Sequence, residues 1–185
     1  MVTKETISAF DEFLHTREKL LEATIAGGAA LQLLGVVSRL TQDVDMVQPD
    51  LTIEIRLLAM EFAQERQDLK LDVSWLNDAA SIFLKNLEPG WDTRTETVFD
   101  GKALKLKSLG RQDLLVSKIG SYLSRGNIDL EDCKALGPDE KALDSAISWV
   151  LSKQAKEDQE AAKERLEKLR EEVTKEKEND YEPER

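Results

Sequence analysis

The sequence contains very few of the residues on which several common chemistries depend. Its 185 residues include one cysteine, Cys133, and one histidine, His15. A single cysteine excludes a disulfide within the chain, and one histidine with one cysteine is too few for a His/Cys zinc cluster. Because the two residues lie in separate segments, they form neither a Cys-His pair nor part of a Ser-His-Asp arrangement. Chemistry of these kinds is therefore not expected.

Long apolar runs are absent as well. No stretch of eighteen apolar residues occurs, and the first five residues lead into an amphipathic segment without the apolar core of a signal peptide. We therefore expect a cytoplasmic protein without a membrane segment. The 26 basic and 37 acidic residues leave a net charge of −11, so the surface as a whole repels nucleic acid. The length suits one well-formed core with an appendage.

Helical and strand-like patterns follow one another over the first 110 residues. Apolar spacing predicts helices over 6–21, 28–35 and 51–67, and strands over 22–26, 43–47, 69–76, 95–99 and 103–107. Asp50 is the expected N-cap of the third helix, although β-branched residues at the start of that helix leave a strand over 51–55 open. These elements place the chain in the α+β class.

Two short motifs in this region carry chemical meaning. Gly27 and Gly28 lie between a predicted strand and a predicted helix, where residues without a Cβ let a ligand approach the backbone and free N–H groups favour a phosphate. Asp43 and Asp45 are two residues apart on a predicted strand, so their side chains point to the same face. Such a pair is costly without a cation and suits Mg²⁺ or Mn²⁺ carrying a substrate phosphate.

Together these residues resemble the nucleotidyltransferase superfamily, and the AbiEii/MenT-like bacterial group within it. Gly27-Gly28 matches the glycine pair, Asp43-x-Asp45 matches the metal-binding pair, and Arg39-x-Thr41-x-Asp43 matches that group's lead-in. The resemblance covers roughly residues 20–136. It implies a small, mixed, twisted sheet flanked by helices, to which this chain adds a C-terminal helical extension.

The resemblance also implies roles for particular residues. Asp43 and Asp45 would hold two metal ions together with a third carboxylate, for which Asp72 on the strand over 69–76 is the candidate and Asp78 the alternative. The segment Trp75-Leu76-Asn77-Asp78 complicates this assignment, because it is similar to a Trp-Leu-Asn segment in relatives whose third acid is hard to identify. The remaining nucleotide contacts would come from Gly27, Gly28, Arg39, Thr41 and Lys118.

A second signature of the same group follows residue 110. Leu114-Leu115-x-x-Lys118 matches a helix whose lysine would neutralise charge on a triphosphate, with a surface lysine as the alternative explanation. The later positions Arg125, Asp129 and Asp132 also match, and we expect them to form a structural charge network.

The C-terminal region differs from the rest in composition. We expect residues 1–136 to form the nucleotidyltransferase-fold domain, residues 137–178 to form helices that are highly charged from about residue 153, and residues 179–185 to be a disordered tail. Leu166, Leu169 and Val173 give the helix over 154–177 only a weak apolar seam, which predicts a solitary solvated helix. A partner-binding or dimerising helix is the alternative, so a monomer or weak dimer is expected.

Two functions remain from this sequence. The first is transfer of a nucleoside monophosphate from an NTP to an acceptor hydroxyl. As the resemblance implies, the acceptor would be tRNA and the protein would be a toxin–antitoxin or abortive-infection toxin with an antitoxin partner. A protein hydroxyl or a small molecule stays open as acceptor, because the chain is acidic. The second is a catalytically weak module of the same fold that acts through a protein partner.

Overall fold

The computed structural model describes residues 1–179, with side chains up to residue 175. Its contacts divide the chain into two compact units. The first comprises Met1–Lys85 and Pro89–Gly110, and the second comprises Asn86–Glu88 and the chain from Arg111 onward. The segment 111–136, which the sequence places in the first domain, is grouped with the second unit.

The first unit contains a five-stranded mixed sheet. Its strands are β1 (Leu21–Ala26), β2 (Val44–Gln48), β3 (Leu76–Asn77), β4 (Glu96–Asp100) and β5 (Leu104–Ser108), in the order β3-β2-β1-β5-β4. The central strand β1 pairs antiparallel with β2 and parallel with β5, while β3 is parallel to β2 and β4 antiparallel to β5. The predicted α+β class with a small mixed sheet is confirmed.

Three helices belong to the same unit: α1 (Lys4–Thr16), α2 (Gly27–Leu33) and α3 (Ile53–Glu65). The expected cap of α3 is wrong. Thr52 occupies that position, and its hydroxyl accepts the N–H of Ile55 at 3.3 Å. A short side-chain acceptor directly before the first turn satisfies an otherwise unpaired N–H, and Asp50 lies two residues too early to do so. The alternative of a strand over 51–55 is not found, because α3 already begins at Ile53.

An aromatic cluster joins α1, α3 and the segment before β3. Phe10 and Trp75 meet edge to face at 5.0 Å between ring centroids, and Phe62 lies 5.1 Å from Phe10. The indole N–H of Trp75 donates to the carbonyl oxygen of Ala59 at 3.0 Å, so the largest side chain of the core is buried with its polar atom satisfied. This contact anchors the residue that directly precedes β3.

The predicted strand over 69–76 is wrong. A 3₁₀ turn covers Gln67–Leu69, Lys70 has a left-handed backbone, and only Leu76 and Asn77 pair as a strand. The Asp72 carboxylate accepts the backbone N–H of Ser74 at 2.8 Å, which closes a local turn. Aspartate side chains compete with strand hydrogen bonding in this way, and the alternating apolar pattern did not reveal it.

A buried carboxylate fixes the turn between β4 and β5. Asp11 of α1 accepts the backbone N–H groups of Lys102, Ala103 and Leu104 at 3.1, 2.8 and 2.8 Å. Burial acts to raise the pKa of Asp11, but these three hydrogen bonds and the charge of Lys102 outweigh it, so the pKa is lowered. The ionised side chain therefore ties α1 to the outer hairpin of the sheet.

We expect Asp11→Asn to lower the free energy of unfolding by about 1–3 kcal/mol at pH 7, because a charged acceptor of three N–H groups is lost. A carboxyl group whose pKa is lower in the folded state stabilises the protein above its unfolded pKa of about 4 and loses that contribution as the pH falls further. The difference between wild type and variant in urea unfolding should therefore shrink below about pH 4.

Glu12→Gln is the matched control for Asp11→Asn, because Glu12 is the next residue and forms only an exposed ion pair with Lys102. Its effect should stay below about 1 kcal/mol. Equal effects of the two substitutions would contradict the role assigned to Asp11.

The second unit contains four helices among the described residues: α4 (Arg111–Arg125), α5 (Asn127–Leu136), α6 (Glu140–Ser152) and α7 (Gln159–Asn179). The prediction of a solitary α7 is wrong. Leu166, Leu169 and Val173 are each no more than 2% exposed, and α7 contacts the other three helices. One apolar residue per turn is enough when neighbouring helices cover the seam. Of the predicted tail, Asn179 ends α7, and residues 180–185 lie outside the described residues.

Candidate functional site

The candidate site begins where β1 runs directly into α2. Gly27 has φ of +69°, a conformation that side chains other than glycine rarely adopt. A Cβ at Gly27 would overlap the Oδ2 atom of Asp45 and lie 3.4 Å from its Cγ. The antiparallel register places Asp45 opposite Ala26, the residue before this turn. The Asp45 carboxylate therefore lies in the space that the missing side chain of Gly27 leaves.

The second glycine faces the other predicted residues. A Cβ at Gly28 would lie 3.1 Å from the hydroxyl oxygen of Thr41 and 3.5 Å from a terminal guanidinium nitrogen of Arg39. The Thr41 hydroxyl donates to Asp43 Oδ1 at 3.0 Å. Thr41 is itself held by the N-terminal segment, since its carbonyl oxygen accepts the N–H of Val2 at 2.9 Å. Asp45 directly, and Asp43 through Thr41, thus border Gly27 and Gly28, which begin the first turn of α2 and are called the glycine turn below.

The structure does not assemble the expected set of three carboxylates. Asp72 binds Ser74 in its own turn, and those hydrogen bonds lower its pKa. Asp78 accepts the N–H of Leu51 at 2.8 Å and a guanidinium N–H of Arg56 at 2.9 Å, which likewise lower its pKa. Among the described side chains, no three His, Cys, Asp or Glu residues are grouped so that they could hold a metal ion. The site as placed has two carboxylates, Asp43 and Asp45.

A residue that the sequence did not single out lies beside this pair. In the parallel register of β2 and β3, Asp45 is the partner of Asn77. The side-chain nitrogen of Asn77 donates to Asp45 Oδ1 at 3.3 Å. The Trp75-Leu76-Asn77 resemblance was the only signal in the sequence that pointed to this position.

Lys118 lies in the second unit, in a buried charge network. Its ammonium nitrogen is 3.1 Å from Asp129 Oδ1 and 2.7 Å from Asp132 Oδ2, and the side chains of all three residues are 5% exposed or less. Arg125 also pairs with Asp129. The predicted structural network of Arg125, Asp129 and Asp132 is confirmed, and the alternative of a surface lysine at 118 is wrong.

Burial and the neighbouring Asp129 raise the pKa of the Cys133 thiol to about 12, which keeps it protonated.

The two carboxylates at the glycine turn fit a hard divalent cation. Mg²⁺ and Mn²⁺ prefer oxygen ligands, and Mg²⁺ is usually bound by one or two carboxylates together with water and substrate phosphates. Asp43 and Asp45 can supply the protein part of such a ligand set. Gly27 and Gly28 begin α2, and the unpaired N–H groups in the first turn of a helix favour a phosphate group.

Comparison with protein-family models identifies the family of this chain. The model described as "Nucleotidyltransferase of unknown function (DUF6036)" matches residues 5–182. The chain belongs to this family. The match includes Gly27, Gly28, Asp43 and Asp45 and extends through α7, so the family covers both units of the structure. No curated protein and no solved structure gives a significant match. Within residues 1–179, no helix combines the length and apolar character needed to cross a bilayer.

Proposed function

We propose that the protein transfers a nucleoside monophosphate from an NTP to an acceptor hydroxyl in a Mg²⁺- or Mn²⁺-dependent reaction. The observation that carries this proposal is that the Asp45 carboxylate lies against Gly27 while the Asp43 carboxylate is hydrogen-bonded to Thr41, which faces Gly28. Two carboxylates beside the N-terminus of a helix suit a cation-bound triphosphate, and membership of a nucleotidyltransferase family supports this choice over other phosphate chemistry.

Each residue of the site has a proposed task. Asp43 and Asp45 hold the cation, which when bound neutralises phosphate charge and polarises the phosphorus–oxygen bonds. The N–H groups of Gly27 and Gly28 face the β- and γ-phosphates. Thr41 keeps the Asp43 carboxylate oriented through its hydroxyl hydrogen bond. Arg39, close to Gly28, supplies positive charge to the phosphates.

The proposed reaction balances without a further reactant. The acceptor oxygen bonds to the α-phosphorus of the NTP while the bond from that phosphorus to the oxygen bridging the β-phosphate breaks. Pyrophosphate leaves, and the hydroxyl proton passes to solvent. The site contributes position and charge compensation, which are the main catalytic effects in phosphoryl and nucleotidyl transfer. Lys118 is left out of this proposal because its ammonium group is already paired with two buried carboxylates.

For the acceptor we propose a tRNA end, with the protein acting in the cytoplasm as a toxin that an antitoxin protein binds. The resemblance to the AbiEii/MenT-like group supports this choice. The net charge of −11 opposes general binding of nucleic acid, so the contact with tRNA would have to be local. A protein hydroxyl is the competing acceptor in the experiment below.

The test is incubation of the purified protein with each of four α-³²P-labelled NTPs, Mg²⁺ or Mn²⁺, and either total tRNA or a protein fraction. We expect label on tRNA, and we expect Asp43→Ala and Asp45→Ala to reduce it by a factor on the order of 10³. Asp72→Asn is the control, since it removes a carboxylate outside the site and should keep activity within about twofold. Label on protein instead of tRNA would show that the acceptor is a protein hydroxyl. No label transfer with any NTP and metal would contradict the proposal.

One observation favours a second function. The site has two carboxylates rather than three among the described residues. This favours a module that binds NTP but transfers its nucleoside monophosphate poorly. Such a module would act through a protein partner. Equilibrium binding of an NTP analogue that depends on Asp43 and Asp45, with no label transfer by wild type, would identify this case.

A further inference from the structure

We propose that Asn77 is a positioning residue that orients the Asp45 carboxylate for the cation and occupies the position beside Asp45 where a third carboxylate would otherwise stand. This inference rests on the proposed function, because it concerns the same cation. It adds a residue that the nucleotide-binding motifs do not contain, and it predicts a cation site with two carboxylate ligands, one of which is oriented by an amide.

The orientation of the Asn77 amide is determined by two hydrogen bonds. Its Oδ1 accepts the backbone N–H of Ala79 at 3.0 Å, and its Nδ2 donates to Asp45 Oδ1 at 3.3 Å. The Ala79 contact requires an acceptor, so the nitrogen must be the atom that faces the carboxylate. The opposite orientation would place two oxygens against each other at Asp45 and two N–H groups against each other at Ala79.

Asn77 is also held firmly by its neighbours in the chain. Trp75 is buried in the aromatic cluster, and its carbonyl oxygen accepts the N–H of Val44 at 2.6 Å. Asp78, on the other side, is tied to the start of α3 through Leu51 and Arg56. Because the residues on both sides of Asn77 are fixed, its side chain loses little further conformational freedom when it bonds to Asp45. This suits a positioning role.

The Asp45 carboxylate is thus constrained from two sides. Its Oδ2 lies against Gly27, where a Cβ would overlap it, and its Oδ1 receives the Asn77 hydrogen bond. Partners of this kind orient the carboxylates that bind metal ions, and their loss typically lowers metal affinity by about 10- to 100-fold. The amide adds no negative charge to the repulsion between Asp43 and Asp45, whereas an aspartate at position 77 would.

The substitutions Asn77→Ala and Asn77→Asp test this inference in opposite directions. We expect Asn77→Ala to weaken Mn²⁺ binding about 10- to 100-fold. The nearly isosteric Asn77→Asp should instead tighten Mn²⁺ binding by on the order of tenfold, because a third carboxylate joins the ligand set. Asn77→Asp should also lower the thermal unfolding midpoint of the metal-free protein, since three carboxylates then repel one another.

Mn²⁺ affinity is measured by titration monitored by electron paramagnetic resonance, with and without a non-hydrolysable NTP analogue. Thermal unfolding of the metal-free protein is measured separately. Asp72→Ala serves as the control in the same segment and should leave Mn²⁺ affinity unchanged. Folding of each variant is checked by its cooperative unfolding, and if Asn77→Ala does not fold, Asn77→Asp decides. Wild-type affinity in Asn77→Asp, or in a folded Asn77→Ala, would overturn the inference.

Failure of the inference is distinguishable from failure of the proposed function. Mn²⁺ binding that Asp45→Asn abolishes but both Asn77 variants preserve would overturn only the role of Asn77. A wild-type protein that binds no Mn²⁺, even with the NTP analogue present, would overturn the proposed function and this inference with it.

Discussion

Replacing Gly27 with alanine is expected to reduce nucleotidyl transfer on the order of 10²-fold or more, because the new Cβ displaces the Asp45 carboxylate. The methyl group and Asp45 Oδ2 would claim the same space, so the carboxylate must rotate or β2 must shift. A displacement of about 1 Å at a reacting centre is enough for an effect of this size. The left-handed backbone at Gly27 adds a stability cost of about 1–2 kcal/mol for any residue with a Cβ.

Gly35→Ala separates the two parts of this effect. Gly35 has φ of +73°, nearly the same as Gly27, but nothing lies within 4 Å of the position of its missing Cβ. Gly35→Ala should therefore show only the stability cost of the backbone strain in urea unfolding, Gly27→Ala should lose at least as much, and only Gly27→Ala should lose Mn²⁺ affinity and label transfer. Normal Mn²⁺ binding in Gly27→Ala would show that Asp45 does not need its present position.

Replacing Lys118 with methionine is expected to have the largest effect on stability, about 3–5 kcal/mol. The substitution keeps the length and apolar part of the side chain but leaves Asp129 and Asp132, each 1% exposed, without the ammonium group between them. Buried carboxylates that lose the ammonium group between them retain the cost of desolvation with less compensation. Urea unfolding at pH 7 measures the difference directly.

Two further variants test the network explanation for Lys118. Arg125→Met removes a cation from the same Asp129, but the Arg125 side chain is 66% exposed, so the loss should be about 0–1 kcal/mol. Adding Asp132→Asn to Lys118→Met removes one of the two buried negative charges that faced the ammonium group and should recover part of the stability. A Lys118→Met protein that is as stable as wild type but inactive in transfer would return Lys118 to the nucleotide site.

The glycine and aspartate residues of the site could be placed from the sequence because local geometry determines them. A strand that runs into a helix through Gly27-Gly28, followed by Asp43-x-Asp45 on the neighbouring strand, brings turn and carboxylates together in any sheet that pairs β1 with β2. The structure shows this pairing, with Asp45 opposite Ala26. The sequence predicted the two strands and their motifs, whereas the antiparallel pairing and its register come from the structure.

The residue beside Asp45 could not be placed in the same way. The alternating pattern over 69–76 predicted a strand that would carry Asp72. In the structure the Asp72 side chain closes a turn, and the strand contains only Leu76 and Asn77. The burial of Trp75 between α1 and α3 then determines which residue meets β2. Contacts between residues far apart in the chain are not visible in periodicity, and they outweigh propensity in a strand this short.

The C-terminal helix shows the same limit. Its composition correctly predicts a helix, because it has strong helix formers and charges at i+4 spacing. Composition could not show that Leu166, Leu169 and Val173 lie against other helices.

The sequence by itself determined the α+β class, the glycine turn and the pair of aspartates, because propensity and short-range spacing act within one or two neighbouring elements. Only the tertiary structure decided that Asn77 lies next to Asp45 and that Lys118 is enclosed by Asp129 and Asp132. In each case strand register or helix packing brings together side chains whose neighbours are unknown until the chain has folded.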